Sequence, residues 1–180
     1  MNNYIFESKR LGFRDLVKDD IKDIYEMNRD PDVMKYFPAP LTEAESKEYA
    51  LNAIKHRQEF DYSKYIVELK DSGEFIGIIG LVKINFGTKL LGEVEIGWRM
   101  LKKYWHNGYA VEGAEATLKY GHKTLNIPVI YSFTAAINTP SENVMKRIGM
   151  NYIGVFDHPK VADDSKLKSH VLYKSVKTRK

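Results

Sequence analysis

The chain has no cysteine among its 180 residues. That absence excludes disulfides, thiolate nucleophiles and cysteine–zinc sites together, and it fits a reducing cytoplasm. Long apolar runs are missing too. The strongest, Phe75 to Val82, falls far short of the ~20 residues a membrane helix requires. The opening Met-Asn-Asn-Tyr-Ile-Phe-Glu lacks the basic-then-apolar order of a signal peptide, so a cytoplasmic protein without a membrane partner is expected. A basic face is also lacking. The net charge is +4, but Lys174, Lys177, Arg179 and Lys180 form an acid-free terminal segment, and residues 1–173 carry as many acids as bases. Without an electrostatic footprint no nucleic-acid partner is expected, and the tail reads as a solvated end. The five histidines contain no His-x-x-x-His pair, and no metal site is expected.

What remains is ordinary globular material, 43% apolar and 29% charged, of a length that suits one domain. We expect a single domain over residues 1–180, with a structured core of about residues 9–176. Leu11 to Val17 reads as a strand, and Asp19–Asp20 start a helix with Ile21, Ile24 and Tyr25 on one face. Pro31, Pro38 and Pro40 make an extended connection to a second helix. Thr42 and Glu45 form its capping box, and Tyr49, Ala53, Ile54 and Phe60 its buried stripe. Strands are expected at Tyr65 to Lys70, Glu74 to Ile84 and Leu91 to Met100, the first two joined by Asp71-Ser72-Gly73. A helix from about Tyr109 to Leu125 is stopped by Asn126 and Pro128, and Val129 to Thr134 is a short buried strand. A last helix has Thr139 as N-cap, Pro140 at its first position, Glu142 closing a capping box and Gly149 as its left-handed terminator. Strands at Asn151 to Phe156 and Lys168 to Val176 follow. The order β-α-α-β-β-β-α-β-α-β-β predicts an α/β domain with a mixed sheet flanked by helices.

Residues Arg99 to Ala110, Arg-Met-Leu-Lys-Lys-Tyr-Trp-His-Asn-Gly-Tyr-Ala, are the most informative stretch. They follow a strand, contain no acid and lead into a helix of small residues. Loop amides and the free N–H groups of a new helix converge on phosphate oxygens, aided by the helix dipole. Gly108 allows a positive φ and Ala110 keeps the first turn thin. Lys102 and Lys103 stand beside this loop. The dinucleotide and P-loop glycine patterns are absent, so the cradle is of another kind.

Two motifs carry a family resemblance. Trp105-His106-Asn107-Gly108-Tyr109-Ala110 resembles the acetyl-CoA pyrophosphate loop of the GCN5-related N-acetyltransferases (GNAT), and Asn138-Thr139-Pro140-Ser141 with Arg147-Ile148-Gly149-Met150 resembles their second cofactor motif. Glu95-Ile96-Gly97 ahead of the loop, together with His158-Pro159 and His170-Val171-Leu172-Tyr173, is most similar to the ribosomal-protein N-terminal (RimJ/RimL-type) branch. The resemblance spans essentially the whole chain. It implies two adjacent strands that part, and Gly97 is where a bulge would free the Trp98 to Met100 backbone for the pantetheine. The cofactor-binding set is then Trp98, Met100, Trp105, His106, Asn107, Gly108, Tyr109, Ala110, Asn138, Ser141 and Arg147.

The implied reaction is acetyl transfer from acetyl-CoA to a primary amine, on a protein N-terminus or a small molecule, by direct attack in a ternary complex. Ammonium groups with pKa values of about 8 to 10 need a base near neutral pH. Strand alternation puts Glu93 and Glu95 on one face and Val94, Ile96 and Trp98 on the other, and Glu95 is the candidate base or amine-binding carboxylate. The Ser141 hydroxyl is the candidate to assist the leaving thiolate or the oxyanion. Many relatives have glycine where His106 stands, and a general-acid tyrosine where this chain has Met145. By analogy Met34 to Leu41 and the Thr42 to Phe60 helix cover the acceptor side, with Tyr36, Phe37 and Phe60 at its entrance, and a homodimer is an expectation of the same kind. The rival reading is a non-catalytic acetyl-CoA-binding regulatory module.

Overall fold

Apolar strand segments, interrupted at three points by helical periodicity, lay down eight strands and four helices among the described residues. Their order is β1 (Phe6–Glu7), β2 (Leu11–Asp15), α1 (Ile21–Asn28), α2 (Glu43–Phe60), β3 (Lys64–Leu69), β4 (Phe75–Lys83), β5 (Val94–Met100), α3 (Tyr109–Lys123), β6 (Val129–Ala135), α4 (Thr139–Arg147), β7 (Asn151–Asp157) and β8 (Ser169–Val176). The computed structural model describes residues 3–178; Met1, Asn2, Arg179 and Lys180 lie outside the described residues. The expected α/β class and element order hold, with β1 added ahead of them.

The strands form one sheet in the order β1-β2-β3-β4-β5-β6-β8-β7. Every pairing is antiparallel except that of β5 with β6, which α3 connects as a crossover. One face carries α1 and α2, whose Ile24, Met27, Ala50 and Ala53 pack on Leu16, Ile66 and Ile78. The other carries α3 and α4, with Ala114, Leu118 and Met145 against Leu81, Ile96 and Ile130. Helix α3 lies close on the sheet because of its glycines. A Cβ at Gly113 would stand 2.4 Å from Ile79 Cδ1, and one at Gly121 2.7 Å from Ile130 Cδ1.

The capping signals fare unequally. Thr42 accepts from the Glu45 amide (3.3 Å) and Glu45 Oε2 from the Thr42 amide (2.7 Å), the reciprocal box expected for α2. The core of α2 is Ser46, Ala50 and Ala53, and not the larger Phe60, whose ring leans on His56 at 4.6 Å. At α4 the expected cap is corrected. Asn138, one residue earlier, accepts from the Ser141 amide at 3.3 Å and donates to Thr134 Oγ1 at 2.8 Å, so Thr139 is already helical. Glu142 consequently makes no box; it accepts from Tyr173 Oη at 2.7 Å and pairs with Lys146 at 3.0 Å. Gly149 ends the helix at φ +75° as expected.

Candidate active site

The site begins where β5 and β6 separate. They pair at one position, Glu95 with Tyr131, although β6 continues to Ala135 in full register with β8. Toward β4, β5 is unbroken from Val94↔Lys83 to Met100↔Gly77. The expected bulge at Gly97 is therefore absent; the parting comes from β6 diverging, and the irregularity on this side lies between Val67 and Glu68. The bonds Ile84 N–H to Glu93 O (2.8 Å) and Leu101 N–H to Ile76 O (2.9 Å) fix the phase of the antiparallel ladder. Glu95, Gly97 and Arg99 then bond to β4, and the peptide groups of Ile96, Trp98 and Met100 face the gap. Ser132 Oγ donates to the Ile96 carbonyl at 3.1 Å and the Trp105 indole to the Met100 carbonyl at 3.0 Å. The Trp98 N–H and C=O and the Met100 N–H are left facing the opening.

The chain then turns into the loop ahead of α3. Trp105 ties the loop back to β5, and Asn107 Nδ2 donates to the Trp105 carbonyl at 2.9 Å. Gly108 caps α3 at φ +78° and His106 takes φ +63°, so the residue standing where many relatives have glycine does adopt the left-handed conformation. The Glu112 amide is the first to close on the helix, bonding Gly108 O at 3.0 Å. The amides of Tyr109, Ala110 and Val111 ahead of it are free for an anion. Side-chain cations around the loop are already engaged. Lys102 pairs with Asp32 at 2.5 Å and Lys103 with Glu74 at 2.6 Å. Arg10 pairs with Glu112 at 2.7 Å, donates to the Asn107 carbonyl at 3.0 Å and lies 4.3 Å over the Tyr109 ring. Sequence reading passed over Arg10, whose partners stand about a hundred residues away. Arg147 is an exposed residue near the end of α4.

On the opposite face of β5, Glu95, Gly97 and Arg99 project toward α1 and α2, while Val94 and Ile96 enter the core under α3 and Trp98 packs against it. Glu95 lines a cleft of about 230 Å³ between α2, β3, β4 and the segment after β4. Burial pushes its carboxyl up to about 7, with Lys64 and Lys160 pulling weakly the other way. Gly97 has open space where a side chain would stand. Beyond it, Arg99 is set among Asn28 of α1, Tyr49 of α2 and Phe37 of the proline-bearing connection. His158, whose pKa burial and nearby cations lower to about 4, leans on Phe86 of the cleft wall at 4.6 Å. His56 and His122 are committed to the carbonyls of Tyr62 and Ile127, each at 2.8 Å. Met145 is 1% exposed in the core, so no proton donor stands at that position.

Ser141 is half-buried in the first turn of α4, its amide held by Asn138. Asn138 itself is used throughout: its own amide bonds Ala135 O at 2.7 Å and its carbonyl accepts from Glu142 at 3.1 Å. Among the described residues no group of carboxylates, histidines or cysteines could hold a metal ion, and no helix is long and apolar enough to cross a membrane.

Comparison with known proteins agrees with this geometry. Residues 10–151 match the acetyltransferase (GNAT) domain. The chain is 36% identical over 150 residues to the uncharacterized N-acetyltransferase YnaD of Bacillus subtilis, covering 83% of this chain and 84% of that one. An acetyltransferase (GNAT family) structure from Bacillus anthracis superposes with a TM-score of 0.79 at 30% identity, covering 96% and 98% of the two chains. The ribosomal L7/L12 α-N-protein acetyltransferase RimL, solved with coenzyme A, shares the fold with a TM-score of 0.77 at 13% identity, covering 94% and 95%. A parted β5–β6 pair, an amide-lined loop at the start of α3 and the matched domain together make this chain a GNAT acetyltransferase, an enzyme of the family that draws its acetyl group from acetyl-CoA.

Proposed function

We propose that the protein acetylates a primary amine by direct attack within a ternary complex, as an enzyme of the RimJ/RimL-type branch acting in the cytoplasm. The observation that carries this reading is the parting of β5 and β6, with the phosphate-type loop at one end and half-buried Glu95 near the other. The amides of the loop and of the first turn of α3 receive the diphosphate. Trp98 and Met100 offer peptide groups along the gap for the amide-bearing arm, in the manner of an added strand. Acetyl-CoA, when bound, would supply a thioester toward the closed end of the gap, on the Glu95 side.

The residues then divide the chemistry. Glu95, poised near neutrality by burial, takes a proton from the incoming ammonium. The free amine attacks the thioester carbonyl, a C–N bond forms, the C–S bond breaks, and the thiolate leaves with the second proton, which the attacking nitrogen gives up as it becomes an amide. Ser141, held by the Asn138 cap, presents its hydroxyl to the developing negative charge. Asn138 is a positioning residue, since its own polar groups are occupied. Without cysteine no acetyl-thiol intermediate on the protein is available. Tyr152, Ile153 and Val155 on edge strand β7 are exposed, and this apolar surface suits the homodimer expected by analogy.

The test is incubation of the purified protein with acetyl-CoA and pooled N-terminal peptides, polyamines, aminoglycosides and amino acids, following thiol release and product mass. One added acetyl on any acceptor is the expected result. Acetyl-CoA binding without turnover, unchanged by Glu95→Gln or Ser141→Ala, would instead support a regulatory module.

A further inference from the structure

The acceptor cleft has an unusual charge arrangement. Among the described residues lining it, Glu95 is the one carboxylate. Lys64 and Lys83 line it, Lys160 and Arg99 stand behind its Phe86 and Tyr49 walls, and each of these four cations lies over an aromatic ring: Lys64 Nζ 4.5 Å from the Tyr49 centroid, Lys83 Nζ 4.5 Å from Phe60, Lys160 Nζ 5.4 Å from Phe86, and the Arg99 guanidinium 4.3 Å from Phe37. None of the four forms an ion pair among the described residues. Tyr49 joins the ends of this array, since its ring also takes Arg99 at 5.4 Å. Arg99 is the extreme case. Its guanidinium has five N–H donors; one goes to Asn28 Oδ1, and the buried Nε has no partner.

A guanidinium set among rings, with no carboxylate and an unused buried donor, is arranged for an anion it has yet to meet. Such a field repels a polycation and draws in an anion. The cleft volume of about 230 Å³ suits a molecule of amino-acid size. Gly97 leaves room between the carboxylate and the guanidinium on the same strand face.

We propose that the acceptor is a small amine that also bears a carboxylate or phosphate, with Glu95 receiving the amine and Arg99, assisted by Lys64, receiving the anion. This inference rests on the acetyltransferase reading and narrows its substrate class.

The experiment compares matched acceptors with acetyl-CoA as donor: L-leucine against L-leucinamide, phosphoethanolamine against ethanolamine, a glutamate-led against an alanine-led amidated peptide, and spermidine. The same amines are titrated into CoA-loaded protein and followed by tryptophan fluorescence. The anionic member of each small pair is expected to lead by about tenfold or more in kcat/KM. Arg99→Gln should bring that ratio toward one through KM and leave CoA affinity unchanged. Lys64→Gln does the same more weakly, and provides the test if Arg99→Gln fails to fold. Preference for the neutral amines or spermidine, or a ratio untouched in both variants, overturns the inference. Acetylation confined to the glutamate-led peptide overturns the small-acceptor part and assigns the anion to a chain terminus. If nothing turns over, the titration decides: Arg99-dependent binding of the anionic amines upholds the anion site while the enzymatic reading fails, and no binding overturns the anion site.

Discussion

The two ends of this site treat charge in opposite ways. Around the loop ahead of α3, each of the three nearby cations is neutralised, Lys102 by Asp32, Lys103 by Glu74 and Arg10 by Glu112. Under the proposed function, recognition of phosphate there falls to backbone amides. At the Glu95 cleft the order is reversed: Lys64, Lys83, Lys160 and Arg99 lie on rings with no ion pair among the described residues, and burial raises the pKa of the lining carboxyl to about 7. A ligand held by main-chain amides is indifferent to side-chain substitution, whereas one held by side chains is not.

Five substitutions would break or sharpen that contrast. Glu95→Gln should act most, lowering kcat/KM by about 10²–10³-fold while leaving the acetyl-CoA Kd unchanged. In the wild type the base form grows as pH rises through about 7, so activity climbs there and the variant loses that limb. Stability moves the other way. A carboxyl whose folded pKa is raised loses stability as pH rises past its unfolded value, so the variant should gain on the wild type in melting temperature from about pH 5 to 8.

Gly97→Val comes next. Its position is open and extended, so the melting temperature should hold, whereas KM for the acceptor rises by about tenfold or more as the branched side chain enters the cleft. At the other end, Gly108→Val forces a branched residue to φ +78° and should weaken acetyl-CoA about tenfold by calorimetry. Lys102→Ala should change that Kd less than about threefold, because its charge is already paired and exposed. The smallest effect is at His106. Glycine relieves left-handed strain but loosens the unfolded chain, giving a net gain of about 0.5 kcal/mol, readable as a rise of about 1–2 °C in melting temperature.

The contrast was only half legible in the sequence. Glycine, small residues and a helix start are local signals, so the Gly108 turn into α3, the Thr42 box and the Gly149 terminator could be read directly. Alternation placed Glu95 on the face away from Val94 and Ile96, but gave no sign of what would cover it. The bonds and ring contacts of Arg99 reach Asn28, Phe37 and Tyr49, separations at which periodicity carries no information. The N-cap of α4 moved by one residue because Thr134 supplies a second partner for Asn138, again a tertiary fact. Gly97 suggested a bulge, yet the divergence belongs to β6. Strand β1, two residues long, is too short to leave a period.

The glycines of α3 have a kinetic consequence. With Gly113 against Ile79 and Gly121 against Ile130, the helix lies across β4 and β6 on either side of the parting strand. The two strands therefore cannot zip together when the site is empty without lifting the helix from its seat. The docking groove stays open at rest, no slow rearrangement precedes capture, and association with acetyl-CoA should follow a single exponential whose rate rises linearly with ligand concentration.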